Sequence, residues 1–213
     1  MSEMIHRTCG CCGTAFHAEI PDRSTEPPGF FYDLDNRPPE PNRSELYRQV
    51  FRCPECGFCM GPKDRKAERG FVDSVEYKTC EGRDLPDSTG ADYYRVAMAA
   101  EQDKDIPTAL AAMIRAAWFF DDDGDDASAV KCREKYLELF SKLRGNDSGA
   151  LVVAADVYRR CGRYAEVAES LKNRWFPDRL TRQIIEYEAQ LAEKGDRAAH
   201  SLKDCFDVID GDK

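Results

Sequence analysis

A chain of 213 residues, 42% hydrophobic and 33% charged, has the apolar side chains to build a core and exceeds one average domain, which argues against a disordered chain. Its net charge of −9, with 12 of the 31 Lys and Arg but 15 of the 40 Asp and Glu lying in residues 1–85, leaves neither half basic. Binding to nucleic acid phosphates needs a basic face, so nucleic acid is an unlikely partner on these numbers. No apolar run follows Met1–Arg7, and the longest apolar stretch, Ile106–Phe120, is interrupted by Arg115, so the expectation is a cytoplasmic protein without a membrane segment.

The first motif met along the chain is Cys9-Gly-Cys-Cys12-Gly13, and its counterpart is Cys53-Pro-Glu-Cys56-Gly57. A CxxC turn points both sulfurs into one concavity, and the glycine after the second cysteine lets the backbone bend back toward them. Two such knuckles supply four thiolates, the complete shell of one structural Zn2+, with Cys9, Cys12, Cys53 and Cys56 as the metal ligands. Four protein ligands leave no position for substrate, so no catalytic residue and no enzyme activity are assigned. An Fe–S cluster would use the same thiols. Cys11 inside the first knuckle and Cys59 after the second are surplus thiols. Each is an alternative metal ligand or, beside a thiolate-bound metal, a redox switch whose oxidation releases zinc. His17 reads as a surface strand residue, and His6 and His200 carry no spacing signal.

Thr14–Ile20 after the first knuckle and Leu46–Arg52 before the second read as strands. Between them, Pro21–Ser44 holds Pro27, Pro28, Pro38, Pro39 and Pro41 and reads as an extended loop. Its length and its charged motif, Asp33-Leu-Asp35-Asn-Arg37, make Asp33, Asp35 and Arg37 candidate partner contacts or braces for the zinc module. Ser74 opens a short capped helix, and residues 81–90, with Gly82, Pro86 and Gly90, read as the linker between a module at 1–85 and a domain at 86–213.

Beyond residue 90 the apolar period becomes helical. Tyr93, Val96, Ala97 and Ala100 share one face. Leu110, Met113, Ile114 and Ala117 share another after Pro107, which suits a first helical turn. The run Asp121–Asp126 fails as a calcium loop, because Gly124 in the sixth position would put Phe119 first and Val130 twelfth; it reads as an interhelical loop. Trp118, Phe119 and Phe120 read as core. Further helices are expected over Ala127–Leu143, from Ser148 to Cys161, over Tyr164–Trp175, over Arg179–Lys194 and over Arg197–Phe206. Cys132, Cys161 and Cys205 lie among apolar neighbours and read as small buried hydrophobes; Cys80 is unassigned.

The hairpins around Gly162 and Asp105–Ala116 look like tetratricopeptide units, although Ala109 and Val167 are further apart than the repeat's period of about 34 residues. The fold class is therefore α+β, mostly α: a small zinc-ribbon-like N-terminal module followed by a tetratricopeptide-like antiparallel helical array. The ordered set CxxCG, DLDNRPPE with RSELY, CPECGFC, and the Ala-Ala-Trp helix followed by aspartates resembles bacterial proteins of unknown function that pair a double-CxxC zinc-ribbon-like region with a tetratricopeptide-like C-terminus. The resemblance spans nearly the whole chain and implies paired ligands at Cys9, Cys12, Cys53 and Cys56, but no activity. The function expected is a zinc-binding, non-catalytic interaction or adaptor protein with a protein or peptide partner, the alternative being a thiol and zinc redox sensor.

Overall fold

The computed structural model describes residues 3–21, 31–144, 147–172, 176 and 178–211. Over these the fold is α+β and mostly helical, with two small two-stranded sheets. Two compact units divide the chain: Met1–Glu26 with Glu40–Cys132, and Pro27–Pro39 with Arg133–Lys213. The division does not coincide with the expected boundary after residue 85. Residues expected to form a linker are packed into the first unit, where the Tyr94 hydroxyl donates to Glu81 and the Lys131 ammonium donates to the Arg83 carbonyl at 2.7 Å.

In the first unit, strands β1 (Glu3–Thr8) and β2 (Ala15–Ile20) pair antiparallel, with Thr8 opposite Ala15, so the first knuckle forms the hairpin's tip. A second, shorter hairpin, β3 (Phe51–Arg52) and β4 (Cys59–Met60), carries the second knuckle in the same way. The strand expected over Leu46–Arg52 is thereby corrected: Leu46–Gln49 is a 3-10 turn, and only the last two residues pair. Leu46 there is buried, and its carbonyl accepts from the Tyr93 hydroxyl at 2.6 Å, a bond to helix 89–102.

Short helices α1 (Arg69–Asp73) and α2 (Val75–Lys78) follow, with the Ser74 hydroxyl capping α2 by accepting from the Tyr77 amide, as expected. Helix α3 (Thr89–Gln102) packs against α4 (Ile106–Asp122), which begins with Pro107 in its first turn. Helix α3 is buried on all sides rather than along one stripe, taking in Tyr94, Arg95 and Met98. Its small residues permit that approach: at Gly90 an added Cβ would lie 2.8 Å from the Phe120 ring. Trp118 and Phe120 are core, and Phe119 stacks on Tyr93. The acidic loop ends as an N-cap, Asp125 accepting from the Ser128 amide at 3.1 Å ahead of α5 (Asp126–Phe140), which stops three residues short of the expected Leu143.

The second unit contains the last part of α5, then α6 (Ser148–Arg160), α7 (Tyr164–Leu171), α8 (Arg179–Glu193) and α9 (Leu202–Gly211). Its core joins Val152 and Ala155 of α6 with Ile184, Ile185 and Leu191 of α8 and Cys205 of α9. The expected extension of α7 to Trp175 falls on residues outside those described. Helix α9 begins at Leu202, not at Arg197. The preceding segment turns the Asp196 and Ala198 carbonyls onto Arg159, and Ser201 pairs with Asp33 in an antiparallel bridge before capping α9 through Asp204. Among the described residues no helix is long and apolar enough to cross a membrane.

Candidate metal centre

Both knuckles fold by the same pair of backbone hydrogen bonds. In the first, the Cys9 amide donates to the Thr14 carbonyl at 2.8 Å and the Gly13 amide to the Cys9 carbonyl at 3.0 Å. In the second, Cys53 donates to Phe58 and Gly57 to Cys53, at 2.9 and 3.0 Å. Gly13 and Gly57 take φ of 78° and 73°, the left-handed region where a side chain is disfavoured, which is why glycine closes each turn.

The two tips bring four sulfurs together. Cys9 Sγ lies 3.5 Å from Cys56 Sγ and Cys12 Sγ lies 3.6 Å from Cys53 Sγ, with all four within 4.8 Å of one another. Sulfurs bound to one tetrahedral zinc at Zn–S of about 2.3 Å are separated by about 3.8 Å, so the set fits a single ion of that size and ligand preference. Cys9 and Cys53 are buried, whereas Cys12 is exposed, leaving one edge of the group open to solvent.

Hydrogen bonding tunes the thiols unequally. Cys12 is held down to about 6, chiefly by its side-chain bond with the Thr14 hydroxyl at 3.2 Å, and is therefore largely thiolate at neutral pH. Burial pushes Cys9 and Cys56 up, although the Cys11 amide donates to Cys9 Sγ. A divalent metal would displace the remaining thiol protons, so binding releases protons and weakens in acid.

Neither surplus thiol joins this group. Cys59 is buried, its thiol donates to Asp92 at 3.2 Å and its amide donates to the Tyr77 hydroxyl at 2.8 Å. Burial first, then the Asp92 charge, push this thiol well up, a setting that makes it inert rather than reactive. Cys11 is half-buried and contributes its backbone amide to the site. Cys80, Cys132 and Cys205 are buried and Cys161 is half-buried.

Supports that the spacing did not reveal hold the first knuckle in place. Segment 65–67 lies against Gly10, whose carbonyl accepts from the Ala67 amide and whose missing Cβ would sit 1.9 Å from the Arg65 carbonyl oxygen. Arg65 is fixed in turn by Asp103 and, at 2.8 Å, by Asp105, the N-cap residue of α4. Arg7 on β1 stacks over Phe51 at 4.6 Å and donates to the Gly61 carbonyl at 3.1 Å, joining one hairpin to the other.

The loop residues Asp35 and Arg37 are buried in the second unit, with exposures of 3% and 8%. Asp35 faces Arg160 at 3.5 Å and accepts from the Arg37 amide at 3.2 Å. Asp33 is half-buried and occupies the bridge to Ser201. No family model, no curated protein and no solved structure matches this chain.

Proposed function

We propose that this chain is a zinc-stabilised, non-catalytic protein-interaction or adaptor protein of the cytoplasm, with one structural Zn2+ on Cys9, Cys12, Cys53 and Cys56. The convergence of four cysteine sulfurs from two hairpin tips carries this reading, because a complete thiolate shell stabilises a fold and leaves no open coordination position. Structural zinc contributes apparent binding energies of about 10 to 16 kcal/mol, ample for hairpins whose second sheet pairs only four residues. The interaction surface belongs to the helices, which we read as tetratricopeptide-like hairpins around Gly162; arrays of that kind present extended faces to proteins or peptides. The resemblance to bacterial double-CxxC proteins points the same way, and ten cysteines suit a reducing compartment.

A redox-sensor role draws less support, since sensor thiols are accessible and readily ionised whereas Cys59 is neither. The test joins metal analysis with partner capture. Protein purified without added metal is expected to hold one zinc per chain and to capture a protein that is lost when exposed Leu180 and Val208 on α8 and α9 are replaced by Asp. Iron in place of zinc, or capture unchanged by those substitutions, counts against the proposal.

A further inference from the structure

The β1–β2 register sets His6 directly opposite His17, on the solvent side of the hairpin that carries the first knuckle. Both residues are exposed, and their ring centroids are 4.2 Å apart with the planes 63° from parallel. Neither histidine is near the other in sequence, so their meeting is a product of strand pairing alone. Nothing in the four-sulfur centre uses them.

We propose that His6 and His17 form a second, solvent-facing metal clamp that takes one imidazole-preferring divalent transition ion, of the Zn2+ or Ni2+ class, through one nitrogen of each ring. Two imidazole nitrogens on a tetrahedral zinc, at Zn–N of about 2.0 to 2.1 Å, stand about 3.3 Å apart. Ring centroids 4.2 Å apart put the two imidazoles in the range of that separation. Neutral imidazole is the commonest protein ligand for such ions, and hard cations such as Mg2+ prefer oxygen, which sets the selectivity of a two-nitrogen site.

The backbone beneath the pair is held in advance. On the opposite face of β1, Arg7 donates to the Gly61 carbonyl at 3.1 Å and pairs with Asp64 at 2.9 Å, and its guanidinium covers Phe51. Ala18, the neighbour of His17 on β2, is buried beneath the sheet. Binding therefore orders two side chains rather than a loop, which keeps its entropic cost small. Two protein ligands leave the ion's remaining positions to water, so this site exchanges metal freely, in contrast to the closed thiolate shell.

Zinc-loaded full-length protein titrated calorimetrically with Zn2+, read as the difference from the His6→Thr/His17→Thr double variant, tests the clamp. The parent is expected to take up one ion more than the double variant, and His6→Thr and His17→Thr are each expected to abolish that uptake, because one imidazole does not chelate. In 15N-histidine spectra the rings of His6 and His17 should shift together on saturation. Equal uptake by the parent and the double variant, or an extra ion that survives either single substitution, overturns the proposal. Threonine is a good strand former, and an unchanged spectrum for the rest of the hairpin establishes that the variants fold.

Discussion

Arg159 donates through Nε to Glu188, and neither side chain has any measurable exposure. The same guanidinium donates to Asp156 at 2.8 Å and to the carbonyls of Asp196 and Ala198. One buried cation thus faces two buried carboxyls through one oxygen of each, and the remaining oxygens, Asp156 Oδ1 and Glu188 Oε1, have no hydrogen-bond partner. Two adjacent carboxylates buried with a single counter-charge leave an uncompensated negative charge, which a shared proton removes.

Burial first, then the Asp156 charge, push Glu188 well above the carboxylic acid range, against the pull of Arg159. The native state therefore keeps a proton that the unfolded chain releases above about 4.3. Stability from this group is complete below that pH and declines as pH rises toward the native value. Glu188→Gln mimics the protonated form, so the variant should match or exceed the parent at neutral pH and lose less stability between mildly acidic and neutral conditions. Urea midpoints over that range check the sign; a Gln variant weakest at neutral pH would mean that Glu188 is ionised. Arg159→Ala, which strands two carboxyls, should cost about 3 to 5 kcal/mol at neutral pH.

Metal analysis of single cysteine variants separates the shell from its neighbours. Cys9→Ser, Cys12→Ser, Cys53→Ser and Cys56→Ser should each lose metal and unfold the hairpins, as should a strong chelator, because the sulfurs converge on one point. Cys11→Ser and Cys59→Ser should retain the metal, since neither thiol lies in the group. Plasma mass spectrometry after dialysis gives the ratio directly, and metal loss in Cys59→Ser would revive the alternative shell.

Leu34 is fully buried in the core of the second unit, although it belongs in sequence to the loop between the knuckles. Leu34→Ala should destabilise the helices by about 2 to 5 kcal/mol, read as a lower midpoint in far-ultraviolet circular dichroism. A fragment over 86–213 omits this side chain and the Asp35–Arg160 pair, and is expected to unfold more readily than the same helices in the full chain.

These contrasts follow from how far each signal reaches. The knuckles were legible because a CxxCG turn is a local device, and the helices α3 and α4 because their apolar residues recur at helical spacing. The loop's fate was not legible: Asp33-Leu-Asp-Asn-Arg37 reads as polar and exposed, and only contact with α6 and the segment before α9 turns Leu34 and Asp35 inward. Strands β3 and β4, two residues each, are too short for a period to register, and the His6–His17 pair depends on a register that two isolated strands do not announce. Helix α9 began late for a comparable reason, since the carbonyls that would have continued a helix from Arg197 are committed to Arg159.

Gly10 and Gly13 lie in one knuckle but should respond differently to alanine. At Gly13 nothing approaches the missing Cβ, so Gly13→Ala costs only the strain of a positive φ, about 1 kcal/mol, and the metal stays. At Gly10 the new Cβ meets a backbone carbonyl at 1.9 Å, and backbone cannot swing aside as a side-chain end can. Gly10→Ala must therefore displace segment 65–67, breaking the Ala67–Gly10 hydrogen bond and drawing Arg65 from Asp103 and Asp105. The expected outcome is a larger loss of stability than at Gly13, together with faster zinc transfer to a chromogenic chelator. Equal transfer rates for the two variants would show that the segment over Gly10 contributes nothing to holding the first knuckle closed.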